Sequence, residues 1–369
     1  MTARVLTHAE LNRATLARQL LLERASVGVR DAVERLAGMQ AQEPKHPFIG
    51  LWTRLEGFEE EALRRALHER AIVRATLMRS TLHLMSAADY AALRMALQPP
   101  MSVALRVLGA RAEGLDLERV LPAARELLRG RALAFDEIRA RLQEQFPDVD
   151  DRALGYAVRT LLPLVMVPAA GARGGFDRVA RFAPAQEWLD EPLVAGDDDA
   201  PARALVRRYL GAFGPASAKD VQAWSGVGGM SAVLDAMRGE LAVFADERGR
   251  ELFDLPDAPR PGAAVAAPPR LLPEFDNLVL AWEDRSRVIA DEHRPLVTTK
   301  NLRVRATVLV DGVVAGVWTI ALKRRVATLL IEPFGRLPRD AVEPLIAEAE
   351  ALVRFVEPEA SGHDVALAG

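Results

Sequence analysis

Leu36-Ala37-Gly38-Met39-Gln40-Ala41-Gln42-Glu43-Pro44, followed by Pro47-Phe48-Ile49-Gly50-Leu51-Trp52, is the most informative stretch of this 369-residue chain. Residues two apart in a helix point about 200° away from each other, so two mid-helix glutamines could not serve one substrate. Pro44 biases Glu43 away from helical dihedrals. The helix expected over residues 29–42 should therefore end near Gln42, where both amides can turn toward one pocket. The spacing alone is not specific, because Gln143-Glu144-Gln145 repeats it inside an amphipathic helical pattern. An isolated pair of this kind usually marks a frayed helix end. The flanking sequence sets the first copy apart, as does the downstream run Arg79-Ser80-Thr81-Leu82-His83-Leu84, whose alternation puts Thr81 and His83 on one strand face.

Outward from this stretch, three segments repeat one pattern of short helices followed by two β-like runs. The first has helices expected over 7–23, 29–42 and 59–68 and strands over 71–76 and 81–85, with Thr7 a good N-cap. The second has helices over 117–128, 135–146 and 150–162, then strands at 165–167 and 178–182 around a Gly-rich tip at 171–175. The third has helices over 202–213, 217–224 and 230–237 and strands over 241–244 and 251–255. Residues 186–201, with Asp197-Asp198-Asp199, read as a surface linker, and residues 256–269, rich in Pro and Ala, as another. Beyond it the period becomes that of strands, over 302–310, 313–322 and 326–331. Asp311-Gly312 is a strong hairpin signal, and a helix over 338–355 is expected to close the chain. The expected fold is α+β and mostly helical: winged-helix units at 1–100, 101–190 and 200–256, then a C-terminal β-rich element at 270–358. Such units serve protein interaction as well as groove reading, so the architecture alone leaves DNA contact open.

Half the residues are apolar, which excludes a disordered chain, and the length suffices for two or three compact units. No apolar run approaches a membrane span and the first thirty residues do not form a signal-peptide core, so a cytoplasmic protein is expected. The absence of cysteine excludes disulfides, thiolate metal sites and cysteine nucleophiles. Six scattered histidines without a His-x-x-x-His pair give no reason to expect a metal, and no cofactor is expected. A net charge of −3 argues against a uniformly basic surface but leaves room for a local cationic groove. Four lysines against forty-four arginines reflect a GC-rich coding sequence more than function.

The Gln40-Ala41-Gln42 context, with Arg79 to Leu84, resembles the AlkZ-like DNA glycosylases of the tandem winged-helix superfamily, in which a Gln-aliphatic-Gln motif is the catalytic signature. Leu272-Pro273-Glu274-Phe275-Asp276-Asn277, Asp284-Arg285-Ser286-Arg287 and Phe334 are similar to that family too, so the resemblance spans about 7–356. It implies a concave, Arg-lined DNA channel and catalytic roles for Gln40 and Gln42. It makes Arg79 a candidate phosphate ligand, and Thr81 and His83 candidates for the pocket or the DNA backbone. The expected substrate is duplex DNA bearing purines alkylated at N7 or N3, with bulky adducts and crosslinks among the family's substrates, and the expected state is a monomer. A glutamine amide does not titrate, so it can hold a water but cannot remove a proton. It suffices only where the leaving base already carries a positive charge. Lys323-Arg324-Arg325 reads either as a solvated turn or as a hairpin tip offered to DNA. The competing readings are a non-catalytic winged-helix regulator, which would bind a palindrome as a dimer, and a protein-interaction scaffold.

Overall fold

The structure, a computed structural model, describes residues 4–172, 174–189, 192–194, 199–299, 301 and 303–368. Part of the linker expected at 186–201, including Asp197 and Asp198, lies outside these residues, as does Leu302, the expected start of a strand. The first helix, His8–Arg18, begins as the sequence indicates: Thr7 accepts from the Glu10 amide, and Glu10 reaches back to the Thr7 backbone. The helices Leu117–Leu128, Phe135–Gln145, Asp151–Leu161, Ala200–Phe213, Ala218–Ser225 and Met230–Ala236 lie where apolar periodicity puts them.

The helix expected over 29–42 is shorter. It spans Val29–Arg35, after which Ala37 (φ 53°) and Gly38 (φ 84°) turn the chain through left-handed backbone into the strand Met39–Gln40. Gly38 is the stop signal, acting as a glycine does just past a helix C-terminus. A Cβ there would meet the Leu84 carbonyl at 2.9 Å. Pro44 ends no helix; a further one, His46–Trp52, starts just beyond it with Pro47 in its first turn.

The hairpins of the first two segments join in one six-stranded sheet, in the order Met39–Gln40, Leu82–Ser86, Ile72–Thr76, Leu164–Val167, Arg181–Pro184, Leu133–Ala134. The third hairpin, Ala242–Asp246 and Glu251–Asp254, gains the N-terminal strand Arg4–Leu6 as a parallel neighbour. In the C-terminal sheet Arg270–Leu272, Thr307–Val310, Val313–Lys323 and Val326–Pro333 run antiparallel, and Gly362–Leu367 adds parallel to the last. That strand follows the helix Arg339–Val356, which was expected to close the chain. The Asp311-Gly312 turn forms as the sequence indicates, with positive φ at both residues.

One continuous core links the segments. It holds Leu16 and Met85 from the first, Val165 from the second, Phe213 and Trp224 from the third, and Trp282 and Val317 from the C-terminal part. Four aromatic rings, Tyr209, Phe213, Trp224 and Trp282, pack at centroid distances of 5.3–6.1 Å within it. Among the described residues no helix is long and apolar enough to cross a membrane.

Candidate catalytic cleft

A short strand and the bend that follows it, not a helix end, bring the two glutamines together. Gln40 pairs with His83 across the antiparallel ladder, and the Ala41 amide continues it by donating to the Leu82 carbonyl at 2.7 Å. The strand ends at Gln40 and the chain bends at Gln42. Both side chains line one cavity of about 1100 Å³, whose walls also carry Glu43, Arg79, Phe275 and Arg285.

The two amides differ in what they have spent. Gln40 is 8% exposed, and its Oε1 accepts from Arg79 Nη2 at 3.1 Å. Arginine can only donate, so this contact fixes which end of the amide is oxygen. The Nε2 donors have no protein partner among the described residues. Gln42 is exposed, and its amide is wholly unspent among the described residues. By contrast, Gln143 donates from Nε2 to the Phe146 and Pro147 carbonyls, so it caps the end of its own helix.

Arg79 sits in a left-handed conformation (φ 52°) followed by another at Ser80 (φ 60°), backbone strain of the kind that collects at functional sites. Its guanidinium donates to the Trp224 carbonyl as well as to Gln40. Burial, and secondarily the charge of Arg285, pulls its pKa down to about 10, which leaves it protonated at neutral pH. The expected phosphate ligand is thus engaged in holding Gln40. Arg285 is freer than Arg79: among the described residues only its Nε is engaged, by the Trp282 carbonyl at 3.4 Å. The sequence drew attention to Arg285 without a role for it.

Thr81 lines the cavity, and its hydroxyl donates to the Met78 carbonyl at 3.1 Å. His83 lies beneath the cavity with no exposed surface, which removes it from direct contact with DNA. Its Nδ1 is 3.1 Å from the Thr81 carbonyl. Burial, then the nearby Arg79 charge, pushes its pKa down to about 3, so the ring is neutral and Nδ1–H donates to that carbonyl. The folded pKa lies below the unfolded value of 6.5, so an unfolded chain takes up a proton that the native state refuses. The stability tied to His83 is complete above about pH 6.5 and falls as pH drops toward 3, by up to about 1.4 kcal/mol per unit. His83→Asn should flatten the acid limb of the stability–pH curve, measured by denaturant unfolding. Parallel acid limbs for the two proteins would contradict a neutral buried imidazole.

Of the other wall residues, Glu274 and Phe275 lie in the stretch that resembles the family but have no role assigned from sequence, and His46 and Arg303 carry no sequence signal of their own. His46 stacks on Phe275 at a centroid distance of 6.2 Å, and burial is the main cause that lowers its pKa. Phe275 holds φ 60°, which is unusual for a bulky side chain. Glu274 and Arg303 form a two-bonded ion pair at 2.6 and 3.0 Å on the rim. Lys323, Arg324 and Arg325 lie elsewhere, exposed at the tip of the Val313–Lys323/Val326–Pro333 hairpin, where Lys323 pairs with Val326. No carboxylate among the described residues pairs with them, and they do not line the cavity. No group of three His, Asp or Glu among the described residues is arranged to hold a metal ion.

A family model described as DNA glycosylase AlkZ-like matches residues 33–355. The chain is 28% identical over 343 residues to an interstrand DNA cross-link repair glycosylase of Streptomyces sahachiroi, covering 88% of this chain and 91% of that protein. The solved structure of Streptomyces sahachiroi DNA glycosylase AlkZ superposes with a TM-score of 0.81 at 22% identity, over 99% of this chain and 100% of that one, so the two share a fold.

Proposed function

The chain belongs to the AlkZ-like DNA glycosylase family, and on that premise we propose that it is a monofunctional, cofactor-free enzyme that releases purines alkylated at N7 or N3 from duplex DNA. The observation that carries this reading is the pair of non-titrating amides, Gln40 and Gln42, in one cavity whose histidine neighbours are neutral at physiological pH. A water that accepts from Gln40 Nε2 and donates to Gln42 Oε1 keeps a lone pair for the sugar C1′, a near-attack arrangement. The C1′–N bond breaks with its electron pair moving to the base, which neutralises the alkylpurine cation. Water oxygen then bonds to C1′ and its proton passes to solvent. No acid is needed, because alkylation has already supplied the positive charge.

The three helix-and-hairpin segments, at 1–100, 101–190 and 200–256, act in this reading as tandem winged-helix units. With the element at 270–358 they embrace the duplex. Thr81 and Arg285 face the strand that carries the lesion, and Lys323, Arg324 and Arg325 add electrostatic affinity for phosphates. A cavity of about 1100 Å³ is at the upper end of ligand-pocket sizes, which suits a base with a bulky adduct. The Streptomyces relative is named for cross-link repair, and interstrand crosslinks of cationic purines fit the same chemistry. The enzyme acts as a monomer in the cytoplasm. The test is chromatographic detection of free base from duplex DNA carrying 7-methylguanine, with EDTA present throughout. Release is expected. DNA binding without release from any N7- or N3-alkylated purine would favour a non-catalytic DNA-binding protein.

A further inference from the structure

We propose that Arg74 is the positioning residue that aims Gln42 into the cleft, an inference that rests on the catalytic reading of Gln42 given above. Arg74 lies on the Ile72–Thr76 strand in register with Leu84, and Leu84 with Met39, one position out of phase with Gln40, His83 and Ala75. Directly opposed residues share a sheet face, so Arg74 reaches the motif from the face opposite Gln40. Its Nε donates to the Ala41 carbonyl at 2.9 Å and its Nη2 to the Gln42 carbonyl at 3.0 Å. These two donors form one edge of the planar guanidinium fork. Successive carbonyls of a regular strand point in opposite directions. One fork that receives two consecutive carbonyls therefore breaks strand geometry at the residue where the side chain of Gln42 must leave the ladder.

The clamp has a second jaw. The Arg74 guanidinium lies over the Phe176 ring at 5.0 Å. In the same connection of the second hairpin, Gly174 packs so closely on Pro44 that a Cβ would come within 2.6 Å of the proline Cβ. Residues 41–44 are thus gripped between Arg74 and the 174–176 segment. Arg74 is 4% exposed, and no carboxylate among the described residues forms an ion pair with it. Burial lowers its pKa to about 10, opposed only by the more distant charge of Glu43. Burying an arginine without an acid partner is a poor way to gain stability. Its hydrogen bonds go to the backbone that carries Gln42.

The test is a double-mutant cycle on single-turnover excision of 7-methylguanine, with duplex affinity and thermal midpoint measured beside it. Arg74→Lys keeps the charge but cannot span both carbonyls. It should lower the rate by ~100-fold, the scale of a small displacement of a reacting group, with DNA affinity unchanged. In a Gln42→Ala background the same substitution should change the rate by less than about three-fold, because a residue that acts through Gln42 has nothing left to position. Arg74→Met, which removes the unpaired charge along with both donors, gives a folded comparison if the lysine variant is unstable. Equal losses in both backgrounds, or no loss in either, would overturn the proposal. A Gln42→Ala protein as fast as wild type would instead overturn the catalytic reading of Gln42, and the role of Arg74 with it.

Discussion

Gln42→Ala is expected to slow single-turnover excision of an N7-alkylated purine by ~10²–10³, while duplex affinity stays within about two-fold of wild type. The loss falls on the rate because the Gln42 amide touches no phosphate in this reading; it touches a water that matters only as the glycosidic bond opens. Such a group is worth about 2–4 kcal/mol of transition-state stabilisation, by analogy with removal of one oriented donor in other hydrolases. Gln40→Ala should lose a similar factor in rate and some stability as well, because it strips the acceptor from Arg79 Nη2. Gln143→Ala and Gln145→Ala are the controls. Gln143 spends its amide on the end of its own helix, and both variants should excise at the wild-type rate. Equal losses from the two pairs would show that the motif has been misassigned.

Asp276→Ala is expected to destabilise the protein by about 3–5 kcal/mol, the cost of breaking a buried ion pair and leaving one charge alone. Asp276 binds Arg54 through both carboxylate oxygens at 2.9 Å, with side chains 4% and 2% exposed. Arg54 also donates to the Gln19 and Gly50 carbonyls, and Asp276 accepts from the Leu278 amide at 2.9 Å. The pair ties the end of the His46–Trp52 helix to the segment that carries Glu274 and Phe275 in the cleft wall. Urea unfolding would measure the loss. A change below about 1 kcal/mol would mean that water reaches Arg54 once Asp276 is gone.

Local signals served the sequence reading well. Thr7 with Glu10, Asp311 with Gly312 and the apolar period of the helix Leu117–Leu128 depend on neighbours a few residues apart, and each element appears where those neighbours put it. The Gln40/Gln42 pair is legible in the sequence, but its geometry follows from Gly38, which stops the helix, and not from Pro44. The parallel strand Gly362–Leu367 was missed because a short alternation after a long helix is weak evidence without its partner, Val326–Pro333. The supports of the site were illegible for a related reason. Arg74 reaches Ala41 across 33 positions, and Arg79 reaches Gln40 across 39 and Trp224 across 145. In a chain with forty-four arginines nothing local distinguishes Arg74, and the run that singles out Arg79 points it at a phosphate and not at Gln40. Only the fold shows which guanidinium faces which carbonyl. His83 illustrates the converse: alternation set it beside Thr81, but only the sheet shows that it is buried and neutral.

In the proposed mechanism two amides replace acid–base chemistry because the lesion supplies its own charge. The most direct measurement compares single-turnover release of 7-methylguanine and of hypoxanthine, a neutral base, from otherwise identical duplexes in EDTA. Release of the cationic base and none of the neutral one is expected. Hypoxanthine released at a comparable rate would contradict this mechanism, since that leaving group needs a proton that Gln40 and Gln42 cannot give.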